Sequence, residues 1–247
     1  MAAADPPLEV HLDLMSQPCR AVLILLSCTR TPHRVRSVAL RRGEQTTDFS
    51  KLNPMQKVPV MVDSGFVLTE SDAILKYLVT KYNLPEHWYP RQPERRARWD
   101  EVHRTLGSVW GSVLLPAQTG SQVDEGRLVR ALSQLADTLD KLESMFLRRQ
   151  PFLCGDDITV ADLLAVCELM QPMVGGRDVL KDRPQLQRWR GRVQSAVGDS
   201  FDQAHAVLYA AREQVLEGGQ RDAGDPLSCS HCAMKRPPAG GGAGSVN

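Results

Sequence analysis

Leu8-Glu-Val-His-Leu-Asp-Leu-Met-Ser16-Gln-Pro-Cys-Arg20 changes its hydrophobic period in the middle. Leu8, Val10, Leu12 and Leu14 alternate, the pattern of a half-buried strand. Beyond Ser16, Ala21, Leu25 and Cys28 fall on one helical face, with Val22, Leu23, Ile24 and Leu26 around it. Pro18 stands where a first helical residue belongs, and its missing N–H costs nothing there. A strand therefore runs straight into a helix, with Ser16 at the junction. That position faces the end of a sheet and the positive end of a helix, where free N–H groups and the macrodipole favour an anion. A small hydroxyl beside an anion hole is a candidate active-site group; the same residue type also serves as a plain helix cap.

The pattern continues on both sides of this junction. His33 to Leu40 is short, carries β-branched residues and follows Pro32, which reads as a second strand. A helix between two such strands implies a parallel, right-handed crossover. Thr46 to Leu52 holds a short irregular helix, and Asn53-Pro-Met-Gln-Lys57-Val58-Pro59 leads into a third strand, Val60, Met61 and Val62. Asp63-Ser-Gly65 is a tight-turn signal, so Phe66-Val-Leu68 should return as an antiparallel partner. Thr69-Glu70-Ser71-Asp72 opens a helix with Ala73, Ile74, Tyr77 and Leu78 on its apolar face. The order βαβ-α-ββ-α over 8–83 predicts a four-stranded sheet with helices packed on it, a thioredoxin-like α/β domain.

Residues 84–93 are rich in proline and aromatics and read as a linker packed on a domain surface. From 94 to 216 the period stays near 3.6 residues and no strand signal appears, which predicts an all-α domain with helices at 94–115, 124–148, 159–173, 185–197 and 201–216. Leu128, Leu132, Leu135, Leu139, Leu142 and Phe146 form one stripe, opposite Arg127, Arg130, Asp137 and Lys141. Thr159-Val-Ala-Asp162 matches a capping box, with Ile158 and Leu163 placed as a hydrophobic staple. It reads as a folding signal and not as a site. The tail, 217–247, is Gly/Pro-rich with few large apolar residues and is expected to stay disordered. Its Cys229 and Cys232 form half a zinc-site spacing without a second pair, so no metal site is expected.

Composition narrows the classes of function. The chain has 247 residues, 42% apolar and 24% charged, with net charge +1, so neither a nucleic-acid footprint nor a polybasic membrane anchor is implied. The longest apolar run, Ala21 to Leu26, is too short to span a bilayer. The N-terminus lacks signal-peptide regions, and six cysteines without framework spacing suggest free thiols in the cytoplasm.

Asp13-Leu-Met-Ser16-Gln-Pro-Cys-Arg-Ala21 resembles the theta class of cytosolic glutathione transferases, in which a serine replaces the tyrosine of other classes. Asn53-Pro54, Lys57-Val58-Pro59, Leu68-Thr-Glu70-Ser71, Lys81-Tyr82, His87-Trp88-Tyr89-Pro90, Ile158-Thr-Val-Ala-Asp162 and Glu168-Leu-Met-Gln-Pro172 follow in family order, and the resemblance spans roughly 8 to 212. It implies that Ser16 donates a hydrogen bond to the glutathione thiolate, which then attacks small electrophiles such as alkyl halides or activated esters. Glu70 and Ser71 would hold the γ-glutamyl group, with Ser71 on its carboxylate and Glu70 on its ammonium. Val58 would pair main chain to main chain with the cysteinyl part, through a cis peptide before Pro59. Lys57 and Gln45 would meet the glycyl carboxylate, and Gln17 and Arg20 would support the site. Glutathione is then a co-substrate, with no further cofactor, no metal, no nucleic acid and no membrane. A homodimer is expected from the family.

Three features depart from the class pattern. Gln45 stands where theta sequences commonly carry histidine, the first long helix of the helical half looks short around Gly107 and Gly111, and the tail replaces a closing C-terminal helix. They keep open a glutathione-binding or scaffold protein with little turnover. A thiol–disulfide redox protein is a third reading, because Ser16-Gln-Pro-Cys19 occupies the place of a CxxC but keeps only the second cysteine.

Overall fold

The computed structural model describes residues 8–38, 47–101, 125–175 and 178–224. The first half is β1 (Glu9–Leu12), α1 (Gln17–Cys28), β2 (Arg34–Ser37), α2 (Thr47–Leu52), β3 (Val60–Asp63), β4 (Phe66–Thr69) and α3 (Ser71–Lys81). The four strands form one sheet in the order β2-β1-β3-β4. β1 runs parallel to β2 and antiparallel to β3, and β3 and β4 form a hairpin. This is the thioredoxin-like arrangement that the alternation and turn signals predict. The hairpin turn is made by Ser64 and Gly65, both at positive φ (49° and 86°), as a two-residue loop matched to the strand twist requires. β2 is shorter than expected, and all four of its residues are exposed because it is an edge strand.

α1 does not keep the one-sided face that its period suggests. Seven of its twelve residues are buried, Arg20 included. It lies on the sheet domain and also packs against three helices of the second half, so almost every side is covered. His11 is likewise not simply outward: its ring lies 5.9 Å from that of Phe49 in α2.

The second half contains a helix at 93–101, called α4, then α5 (Glu125–Lys141) ending in a π-helical turn (Leu142–Phe146), α6 (Val160–Met170), α7 (Pro184–Val197) and α8 (Ser200–Gly224). A 3₁₀ turn (Gln171–Gly175) follows α6 directly. α8 runs eight residues beyond 216, and residues 225–247, with Cys229 and Cys232, lie outside the described residues. The expected shortening near Gly107 and Gly111 falls outside them too. Before α4, a 3₁₀ turn (Glu86–Trp88) and Tyr89 fasten the connecting segment: His87 Nδ1 lies 2.6 Å from the Ile158 carbonyl, and Tyr89 meets Trp99 edge-on at 6.1 Å.

Ten of the eleven residues of α6 are buried, and its start is built as the capping box predicts. The Thr159 hydroxyl accepts from the Ala161 N–H, and the wholly buried Asp162 carboxylate reaches back to the Thr159 N–H (2.9 Å). The same carboxylate accepts from the Leu153 N–H (2.9 Å), from Trp189 Nε1–H of α7 (2.8 Å) and from the Thr159 hydroxyl (3.0 Å). It therefore joins a loop, a cap and a neighbouring helix. Asp162→Ala should cost about 4 kcal/mol or more, because several buried donors are stranded at roughly 1–3 kcal/mol each. Urea unfolding checks this; a loss of only about 1 kcal/mol would reduce Asp162 to an ordinary cap residue.

Candidate functional site

Where β4 gives way to α3, the chain turns within one residue. Glu70 sits at φ 67° and ψ 114°, with its side chain exposed. This lies outside the left-handed region that non-glycine residues visit, and such strain is held where the surroundings demand it. The turn sets Ser71 as the first residue of α3. Beside it runs the segment Asn53–Val58. Buried Asn53 shapes it: its Nδ2 donates to the Lys57 carbonyl (2.8 Å) and its Oδ1 accepts from the Met55 N–H (3.1 Å). The Val58–Pro59 peptide is cis, as the resemblance implies.

These segments enclose a small cleft, walled by Pro18, Asn53, Met55, Lys57, Val58, Pro59, Thr69, Glu70 and Ser71. Five residues singled out from the sequence meet here: Lys57, Val58, Pro59, Glu70 and Ser71. With a volume of about 70 Å³, the cleft cannot engulf a drug-sized molecule; it suits an extended chain laid along it. The α3 N-terminus brings free N–H groups and a positive dipole end to one wall, which favours a carboxylate. Asn53, Met55 and Thr69 also wall the cleft and carried no role from the sequence; for Asn53, the Asn53-Pro54 turn was the available signal. Gln45 lies outside the described residues.

Ser16 is not itself a wall of the cleft, but Pro18, two residues on, is. It occupies the N-cap position of α1 with an extended backbone (φ −86°, ψ 125°), and its side chain makes no capping hydrogen bond. The cap role is therefore not the one its hydroxyl performs. Its neighbour is the Cys19 thiol, which burial pushes up to about 12 against the Asp13 backbone and the Ser16 hydroxyl. A thiol held that high is a poor nucleophile, which argues against the redox reading.

Beneath the Ser16 loop lies a cluster of polar side chains from both halves of the chain. Arg20, fully buried, donates to the carbonyls of Leu14 (2.8 Å) and Cys167 (3.0 Å) and to Gln171 Oε1 (2.6 Å). Gln17 Nε2 donates to Glu168 Oε2 (3.1 Å). Burial pushes the Glu168 carboxyl up to about 7, opposed by the Gln17 bond and by the Arg20 guanidinium. His205 of α8 is buried with its Nδ1 2.8 Å from the Phe201 carbonyl, and burial, then the Arg20 charge, lower it to about 4. Among the described residues no group of three or more His, Cys, Asp or Glu could hold a metal ion, and no helix is long and apolar enough to cross a membrane.

Comparison with known proteins agrees with this geometry. The glutathione S-transferase N-terminal domain family matches residues 13–86, and the glutathione S-transferase C-terminal domain family matches residues 108–196. Glutathione S-transferase theta-1 of Bos taurus is 43% identical over 217 residues, covering 83% of this chain and 90% of that protein. Theta-3 of Mus musculus is 44% identical with the same coverage. Among solved structures, the apo form of human glutathione S-transferase T1-1 is similar with a TM-score of 0.75 and 42% identity, covering 83% of this chain and 91% of that one. A human theta-class enzyme in complex with the glutathione conjugate of 1-menaphthyl sulfate is similar with a TM-score of 0.77 and 39% identity, covering 87% and 92%. The chain belongs to the glutathione S-transferase family, and within it to the theta class.

Two predictions concern the folded state. Glu70→Gly should stabilise the protein by about 1 kcal/mol in thermal unfolding, since relief of roughly 1–3 kcal/mol of backbone strain exceeds the entropic cost of a glycine; a lower midpoint would show that the Glu70 side chain holds the fold. The raised Glu168 value means that the folded protein keeps a proton the unfolded chain releases. Its contribution is full below about pH 4.5 and is lost as pH rises through about 7. Glu168→Gln should therefore flatten the fall in stability across that window and be the more stable form at pH 8. A less stable glutamine form there would mean that attraction to Arg20 outweighs burial.

Proposed function

We propose that this chain binds glutathione along the cleft, ionises its thiol with the Ser16 hydroxyl, and conjugates the thiolate to small electrophiles. The observation that carries the reading is the convergence of Lys57, Val58, Pro59, Glu70 and Ser71 on one cleft, with Pro18 of the Ser16 segment among its walls.

Glutathione is a γ-glutamyl tripeptide with two carboxylates, an ammonium and a thiol. The γ-glutamyl carboxylate meets the Ser71 hydroxyl and N–H at the start of α3, where the helix dipole assists, and Glu70 takes the ammonium. The cysteinyl main chain pairs with Val58 as an added strand beside Pro59. Lys57 meets the glycyl carboxylate, and Gln45 is assigned the same role. This leaves the thiol directed at Ser16.

A free thiol titrates near 8.5 and is mostly protonated at neutral pH. A hydrogen bond to a charged group contributes about 1.5–3 kcal/mol, which at ~1.36 kcal/mol per pKa unit lowers the bound thiol by about 1–2 units. Ser16 needs no general base, because it is not the nucleophile. The thiolate sulfur forms a bond to an electrophilic carbon as halide or sulfate departs with the bonding pair. The related human enzyme whose bound ligand is the glutathione conjugate of 1-menaphthyl sulfate supports an activated ester as one such substrate. The active form is a cytoplasmic homodimer in this reading.

The ultraviolet difference spectrum of bound glutathione, followed across pH, tests the central step. The wild type should show a thiolate band titrating about 1–2 units below the free thiol, and Ser16→Ala should return it toward the free value. Glutathione that binds but ionises as in water would favour a binding protein with little turnover.

A further inference from the structure

The segment Asp13–Ser16 joins β1 to α1 without regular structure, yet hydrogen bonds fix every peptide in it. Two are internal: the Met15 N–H donates to Asp13 Oδ1 (2.9 Å) and the Ser16 N–H to the Asp13 carbonyl (2.9 Å). Two come from outside. Arg20 donates to the Leu14 carbonyl (2.8 Å), and Gln171 Nε2 donates to the Met15 carbonyl (3.2 Å). Gln171 lies at the C-terminal end of α6, in the other half of the chain, and is 2% exposed. Its Oε1 accepts from the same guanidinium at 2.6 Å. The two carbonyls immediately before Ser16 are thus held by one joined pair of side chains.

We propose that Gln171, acting with Arg20, is a positioning residue for the Ser16 hydroxyl. The proposal rests on the reading that Ser16 ionises bound glutathione. The direction of a serine hydroxyl is set first by the peptide planes that precede it. The Met15 plane is held from the α6 side by Gln171 alone among the described hydrogen bonds. Releasing it leaves the 15–16 peptide held only by the Ser16 N–H to the Asp13 carbonyl, so its plane can tilt, and a misplacement of about 1 Å at a reacting group can cost on the order of a hundredfold in rate. Among the described hydrogen bonds none joins Lys57, Val58, Glu70 or Ser71 to this loop, so the grip on the tripeptide is separable from the aim of the hydroxyl. The helical half then contributes to ionisation: it supplies the donor that orients the catalytic loop of the sheet domain.

The test uses the full chain with Gln171→Met, Gln171→Glu and Ser16→Ala. Gln171→Met removes both hydrogen bonds. Gln171→Glu keeps an acceptor on Arg20, where its carboxylate stays ionised, but loses the donor to Met15. Three quantities are read: the thermal midpoint, the affinity for S-methylglutathione, which has no thiol to ionise, and the apparent thiol pKa of bound glutathione. Both Gln171 variants should bind S-methylglutathione within about twofold of wild type, with kcat lowered roughly tenfold and the bound thiol moved up by at least half of the Ser16→Ala shift. Gln171→Glu should do so with a thermal midpoint close to wild type, which a merely structural role would not produce. A Gln171→Glu protein that ionises glutathione as the wild type does overturns the proposal. So does a loss confined to S-methylglutathione affinity. If Ser16→Ala itself leaves the thiol unmoved, the serine reading fails first; if it moves the thiol and the Gln171 variants do not, only the positioning role fails.

Discussion

A guanidinium charge buried between the two halves of the chain constrains everything around it. Arg20 cannot shed its proton, and a buried charge without partners costs several kcal/mol. The folded state must therefore bring oxygens to it. One comes from Leu14, just before α1; the others come from Cys167 and Gln171 at the end of α6. The Cys167 carbonyl is free for this because the Gln171 N–H turns to Glu168 instead, leaving one of the orphan acceptors that every helix end carries. That end is also the negative pole of α6, which suits a cation. The two helices are consequently registered to within a hydrogen-bond length, and the Ser16 loop is registered with them.

Such a clamp is needed because hydrophobic burial alone cannot orient these helices. α6 is buried at ten of its eleven positions, and α1 at seven of twelve. A helix that is apolar on most sides gains nearly the same burial after rotation or a one-turn slide. Polar groups break that degeneracy. At the start of α6, Asp162 must meet the Leu153 and Thr159 N–H groups and the Trp189 indole; at its end, Cys167 and Gln171 must meet Arg20. Both ends of the central helix are pinned by interactions that only one packing satisfies.

The sheet half and the start of α6 were legible because their signals are local. The change of period at Ser16, the Asp63-Ser-Gly65 turn and the Thr159–Asp162 box each require only neighbouring residues. The polar clamp was not, since it joins positions far apart in the chain. Arg20 sits inside an apolar stripe, and a sequence pattern offers no reason why it should be buried beneath that stripe instead of snorkelling out. Gln171 was visible only as one letter of the Glu168–Pro172 motif, and its two partners, Met15 and Arg20, cannot be read from spacing. The walls of the cleft were legible in part. Lys57, Val58, Pro59, Glu70 and Ser71 came from the family resemblance; Asn53, which shapes their loop through main-chain contacts, carries no chemistry that a motif would flag.

What the cleft presents depends on backbone direction more than on side chains. Gln56 (φ 53°) and Glu70 (φ 67°) both stand at positive φ, one in the loop that leads to Val58 and one at the mouth of α3. The turn at Glu70 takes the chain from strand to helix in a single residue, so Thr69, Glu70 and the α3 N-terminus face the same space. A glycine would make that turn with less strain, and a longer loop would make it with none. Neither would keep a carboxylate beside the positive end of the helix. An exposed acidic side chain on a strained backbone is an outlier that persists only where its surroundings hold it.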